Sequence, residues 1–151
     1  MLVTLWKEFA NDPSGMDEPV QTGEENTKRM SQYVAKLVEE DPRQVLVAEE
    51  NGDLVGFLIF QRQSKTLLEV SHQWASISDL YVKPTHRGRG IGTNLLQTCL
   101  DGLRSSGTTH VRVRVGSKNE NAIRLCRKVG FGDYVLVLEA QMTAGRLDRR
   151  G

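Results

Sequence analysis

The sequence predicts an α+β domain, a layer of sheet and helices in the order αα-ββ-β-α-β-α-β, from three observations. Two stripes of apolar residues at helical spacing occupy the first 40 positions. Apolar runs of strand length follow, the first two joined by Asn51-Gly52, a strong hairpin signal. Strand-like and helix-like stretches then alternate as far as residue 142.

Leu2, Leu5, Trp6 and Phe9 stand at i, i+3, i+4 and i+7 and open an amphipathic helix. NDPSG, residues 11–15, ends it. Met30, Tyr33, Val34, Leu37 and Val38 form a second stripe within Glu24–Glu40. Asp41-Pro42 closes that helix, because a residue before proline avoids the α region. QVLVAE, 44–49, reads as a strand, and LVGFLIFQRQ after Asp53 as its return, apolar on both faces and so central. SKTLLEVSHQ, 64–73, reads equally as a long hairpin loop or as strand extensions. Trp74–Val82 is a third strand, again apolar on both faces.

HRGRGIG, 86–92, leads into a helix with Leu95, Leu96, Cys99, Leu100 and Leu103 inward, ended by Ser105-Ser106-Gly107. HVRVRV, 110–115, alternates with valines inward and arginines outward. Ser117 and Glu120 have capping-box spacing for a short helix that carries Ala122, Ile123, Leu125, Cys126 and Val129. Gly130 stands where a C-cap glycine belongs. Asp133–Met142 reads as the last strand and 143–151 as a frayed tail.

A chain of 151 residues suits a single domain over 1–151, with its core from about 44 to 138. Charged residues are 26% and the net charge is +1, so no field draws the protein to nucleic acid or to an anionic membrane. Cys99 and Cys126 make no disulfide framework, which fits a reducing, cytoplasmic location. MLVTLWKEFAND lacks the pattern of a signal peptide, and the apolar runs are too short to span a bilayer. His72, His86 and His110 are isolated and no CxxC occurs, so no metal site is expected.

Gly88, Gly90 and Gly92 lie between a strand and a helix, flanked by Arg87 and Arg89. A helix N-terminus leaves N–H groups unpaired and carries partial positive charge. Glycines before it let those groups approach an anion, which makes a phosphate cradle one reading and a tight turn with exposed arginines the other. A Walker loop would need a lysine after the last glycine, and a dinucleotide fingerprint needs GxGxxG where this chain has GxGxG. Both of those options fail.

Arg87, Gly90 and Gly92 match the pattern [RQ]-x-x-G-x-[GA], and NENAIRLCRKVGF approaches N-x-x-A-x-x-x-Y-x-x-x-G-F, 27 residues from Gly92 to Asn119. In these two signatures, and in AEENGDLVGFLIF, the chain resembles the GNAT N-acetyltransferase superfamily from about Gln44 to Leu138. The resemblance implies a mixed, mostly antiparallel sheet whose fourth and fifth strands splay apart, here Trp74–Val82 and the strand starting at His110. It implies acetyl-CoA as co-substrate, its pantetheine arm along Leu80, Tyr81 and Val82, and its pyrophosphate on Arg87, Gly88, Arg89, Gly90, Ile91 and Gly92. Asn119 would contact the cofactor arm. The acceptor would be a small-molecule or peptide amine, and a homodimer is open to such a chain.

The implied reaction is direct attack by a primary amine in a ternary complex. Asp79 is the best-placed candidate base on the fourth strand, with Glu69 and His72 as weaker ones. Arg114 stands where some relatives carry a glutamate base. Cys126 stands where the family has its tyrosine, the usual proton donor to the leaving thiolate; Tyr81 and Tyr134 are conceivable substitutes. The replacement leaves a second reading, an acyl-CoA-binding module with weak or lost catalysis. A nucleic-acid or protein-binding use of the arginines is disfavoured by the near-zero net charge. The family also opens on a strand, whereas this chain starts within a helix unless MLVTL pairs. Asp12, Asp17, Glu18, Glu24 and Glu25 form either an acidic acceptor lip or a solvated face.

Overall fold

The computed structural model describes residues 1–12, 22–62, 73–143 and 146–149, with the backbone alone for 143 and 146–149. The first two stripes fold as expected. α1 spans Leu2–Asn11 and buries Leu5, Trp6 and Phe9, so MLVTL is helix and not strand. α2 spans Glu24–Glu40 and ends where Asp41 turns extended before Pro42. The Asp41 side chain then caps a short turn, Pro42–Gln44, which takes Gln44 out of the strand expected from it.

β1, Val45–Glu50, and β2, Asp53–Arg62, form the hairpin. Asn51 and Gly52 both take positive φ, 53° and 84°, which matches the twist of the flanking strands. β3, Trp74–Val82, pairs antiparallel with β2, and β4, His110–Val113, pairs parallel with β3. The sheet order is β1-β2-β3-β4, a mixed and mostly antiparallel sheet. The expectation for 64–73 falls, apart from Gln73, outside the described residues.

β2 is apolar on both faces because helices cover both. Leu58 and Phe60 face α3, Ile91–Ser105, and α4, Glu120–Val129, in a cluster with Ile77, Leu96, Leu103 and Cys126. Phe57 and Ile59 face α1 and α2 with Leu5, Trp6 and Tyr81. Such side chains contribute roughly 1.5–3 kcal/mol each when fully buried, so β2 anchors both layers. Among the described residues no helix is long and apolar enough to cross a membrane.

Several expectations need correction. The strand over 110–115 stops at Val113, because its last register pair is Ile77↔Val113 and β3 then diverges from it. α4 is capped by Asn119, whose side-chain oxygen accepts from the Ala122 N–H at 3.2 Å, and not by a Ser117–Glu120 box. Asp133–Met142 is not one strand. Only Ala140–Thr143 (β5) is ordered as strand, and it pairs with Arg146–Arg149 (β6), residues expected to fray. β6 lies close to β5 in sequence, so little chain entropy opposes this pairing, which captures the end of the expected strand.

Candidate active site

Where β3 and β4 part, the sheet opens. β3 continues for Ser78–Val82 beyond the last pair with β4, so the backbone edge facing β4 has no strand against it there among the described residues. The gap is part of a cavity of about 940 Å³ that reaches from Asp79 past the glycine loop to α4. That is at the upper end of small-molecule sites, roughly 300–1,000 Å³.

The glycine loop forms one wall. Gly88 and Gly90 have φ of 78° and 82°, and Gly90 is the N-cap of α3. Positive φ is costly for residues with a Cβ, so these two positions turn the chain straight from β3 into the helix. Gly92 has another job: a Cβ there would stand 3.2 Å from Leu125 Cδ2, so it lets α3 and α4 close together. No acidic residue lies in the first turn of α3, and Gly90, Ile91, Gly92 and Thr93 of that turn line the cavity.

Both loop arginines have side-chain partners within the protein. The Arg87 guanidinium donates to the Val82 carbonyl at 2.9 Å and to Asp12 at 2.7 Å, and lies 5.5 Å from the Tyr81 ring centre. It therefore ties the loop to β3 and to the end of α1. Asp12, only 13% exposed at its side chain, is thereby taken out of any acceptor lip. Arg89 reaches both Glu50 oxygens at 3.3 Å, and His86 Nε2 lies 2.8 Å from the same carboxylate. Arg87 lines the cavity, whereas Arg89 does not. Arg114 and Lys128 also line the cavity, so its positive character comes from side chains as well as from the loop backbone.

Asp79 reaches its place through a β-bulge. Ile59 opposes Asp79 and Phe60 opposes Ile77, which leaves Ser78 as an extra residue. Before the bulge Ala75 and Ile77 face the α3–α4 layer; after it Leu80 and Val82 do, and Tyr81 faces α1 and α2. Asp79, one place before Leu80, is turned toward the α1–α2 side, where Tyr33 of α2 lies. Burial pushes its carboxyl pKa up from the ordinary value, partly offset by the Ser78 hydroxyl, which donates to it at 3.0 Å. The Tyr33 phenol is also pushed up, first by burial and then by the Asp79 charge.

Cys126 lines the same cavity from α4 and is 5% exposed. Burial raises its thiol pKa, so it stays protonated. A buried, protonated thiol is a poor nucleophile, which disfavours an acyl-carrying role. Leu80, Tyr81, Val82, Arg114 and Asn119 line the cavity too. The Asn119 oxygen is engaged in capping α4. Tyr134 does not line it: its hydroxyl accepts from Arg112 at 3.1 Å on the surface. Glu69, His72, Asp17 and Glu18 lie outside the described residues. Sequence reasoning missed Ser78 and Tyr33. The signal for Ser78 was a phase break in β3, with apolar residues at 75 and 77 and then at 80 and 82. Tyr33 read as one more member of a helical stripe.

The acetyltransferase (GNAT) family model matches residues 4–131. The chain is 31% identical over 105 residues to an uncharacterized N-acetyltransferase of Methanocaldococcus jannaschii, covering 70% of this chain and 46% of that one. It is 31% identical over 111 residues to an L-methionine sulfoximine/L-methionine sulfone acetyltransferase of Salmonella typhimurium, covering 68% and 57%. The chain spans about half the length of the curated relatives it matches. Its fold is similar to that of a predicted acetyltransferase from Clostridium acetobutylicum solved with acetyl-CoA, with a TM-score of 0.68, 20% identity, and coverage of 91% and 86%.

Proposed function

This chain belongs to the acetyltransferase (GNAT) family, and from that premise we propose that it transfers an acetyl group from acetyl-CoA to a primary amine by direct attack in a ternary complex. One observation carries the reading: the glycine loop, the open edge of β3 and the half-buried Asp79 carboxylate share one cavity.

The residues fit the family's co-substrate, acetyl-CoA. The α3 N-terminus and the loop Gly88–Gly92 offer backbone N–H groups for a pyrophosphate. The outer edge of Ser78–Val82 offers N–H and C=O groups to an extended amide-bearing arm, as an added strand would use them. Acetyl-CoA supplies an activated acetyl group and a thiol leaving group. What remains for the protein is positioning and proton traffic.

An aliphatic amine, whose pKa in water is about 10.4, must lose a proton before it attacks. Asp79 accepts that proton, directly or through water, and its raised pKa brings it nearer neutral pH, where a general base is most effective. Tyr33 and Ser78 hold the carboxylate's surroundings. Cys126 occupies the family tyrosine's place, but its thiol, pushed up by burial, is a weak acid. It donates to the leaving thiolate poorly, and solvent completes that step. The Salmonella relative named for methionine sulfoximine supports a small amine acceptor of amino-acid type.

The second reading, an acyl-CoA-binding module with weak or lost catalysis, is favoured by Cys126 alone. Thiol release from acetyl-CoA across a panel of small amines, amino acids and peptides separates the two. Acceptor-dependent release is expected. Tight acetyl-CoA binding with no release for any acceptor, and release appearing in Cys126→Tyr, would establish the second reading instead.

A further inference from the structure

One cation of the cavity lies where acetyl-CoA has no charge to set against it. Arg114 follows directly on β4, lines the cavity and is exposed. Continuing the Ile77↔Val113 register by one step sets Arg114 level with Ser78, at the closed end of the gap between the strands. Val82 and the glycine loop lie toward the other end, about 13 Å further along β3 at the usual rise per residue.

The alternation of the strand sets its face. Val111, Val113 and Val115 pack into the α3–α4 layer, so Arg112 and Arg114 are on the opposite side. That is the side to which the bulge turns Asp79. Arg112 is held there between the Trp74 and Tyr134 rings, at 4.0 and 4.6 Å, whereas Arg114 joins Asp79 in the cavity. Lys128, which also lines the cavity, comes from α4 in the other layer. The Asp79 carboxyl owes its shift to burial and the Ser78 hydroxyl, not to Arg114. A carboxylate and a guanidinium thus flank the closed end of the gap on one face of the sheet.

Acetyl-CoA is anionic only at its phosphates; its arm and thioester are neutral. With the arm along Ser78–Val82, those neutral groups occupy the gap, and the charge of Arg114 faces the acceptor. For an acceptor that is only an amine this is unfavourable, because ammonium and guanidinium repel each other in one cavity. For an acceptor with a carboxylate near its amine it is favourable, since a guanidinium binds a carboxylate through charge-assisted hydrogen bonds while Asp79 takes the proton of the amine.

We infer that Arg114 determines the acceptor class: it holds the carboxylate of an amino acid or a similar anionic amine, and works against polyamines and other purely cationic acceptors. This assignment rests on the proposed acetyl transfer and supplies its acceptor.

Paired acceptors isolate the effect of the carboxylate: L-alanine, L-methionine and L-phenylalanine, each against the amine left when its carboxyl group is removed, with spermidine as a polycation. The wild-type chain should favour the acid of a pair by about 10- to 100-fold in kcat/KM, the usual range for a hydrogen bond to a charged group, and should leave spermidine unacetylated. Arg114→Gln should remove that preference, chiefly through KM; Arg114→Lys should restore part of it, and Arg114→Glu should reverse it. Calorimetric binding of the same compounds to the CoA-saturated protein reads the preference without turnover. Equal use of acid and amine by the wild type overturns the assignment while acetyl transfer stands. So does an equal loss for both in Arg114→Gln, which oxyanion stabilisation or a purely structural role would give. Preferential binding of the acids with no thiol release upholds the carboxylate site and overturns the transfer. Neither release nor preferential binding overturns both.

Discussion

Asp79 owes its surroundings to one extra residue. Without the bulge at Ser78 it would share a face with Ile77; with it, the carboxylate is turned to the α1–α2 layer near Tyr33. Ionising it there is unfavourable, so the folded chain holds this proton more tightly than the unfolded chain does. The sign follows: the contribution of Asp79 to stability is present below the ordinary aspartate pKa, about 3.9, and is lost as pH rises through its raised folded value. At neutral pH the ionised carboxylate is therefore a liability to stability, and one that the proposed reaction would use. Asp79→Asn should lower the maximal rate by about 10²–10⁴-fold while its melting temperature at pH 7 stays level or rises. A variant with full activity, or one that melts markedly earlier, would remove Asp79 from the role of base. Asp79 could be singled out from the sequence by its place on the strand before the glycine loop. Its partner on α2 could not, because Tyr33 meets it only through tertiary packing.

The elements were largely legible where a local signal is strong. Asn51-Gly52 set the hairpin, Asp41-Pro42 ended α2, and Gly88 and Gly90 turned β3 into α3. Misreadings came where two local options competed. Ser117 and Glu120 had the right spacing for a cap, yet Asn119 holds the end of α4. Asn119→Ala should then cost about 1 kcal/mol of stability, the usual worth of an N-cap, measurable by urea unfolding. Ser117→Ala should be nearly silent. A larger loss in Ser117→Ala than in Asn119→Ala would reverse the assignment. The last strand was misread because alternation and β-propensity report that a segment suits a sheet, not which edge takes it.

Across the whole molecule, β2 is the axis of the fold: Leu58 and Ile59 are fully buried on opposite faces, one against each helical layer. That double burial was visible in LVGFLIF as a run apolar on both faces. The opening of the sheet was not visible in the residues themselves; the resemblance implied it, and the loss of register after Ile77↔Val113 is its structural form. Neither was the neutralisation of the loop arginines, since Asp12 and Glu50 lie far from them in sequence. In the proposed reading the loop, the β3 edge and Asp79 make up one acetyl-CoA site, and a crystal structure of the CoA complex tests that junction most directly. It should place the pyrophosphate on the N–H groups of the Gly88–Gly92 loop, the arm along Ser78–Val82, and the thiol in the cavity shared by Asp79 and Cys126. CoA bound away from the glycine loop, or an arm that avoids the β3 edge, would contradict it.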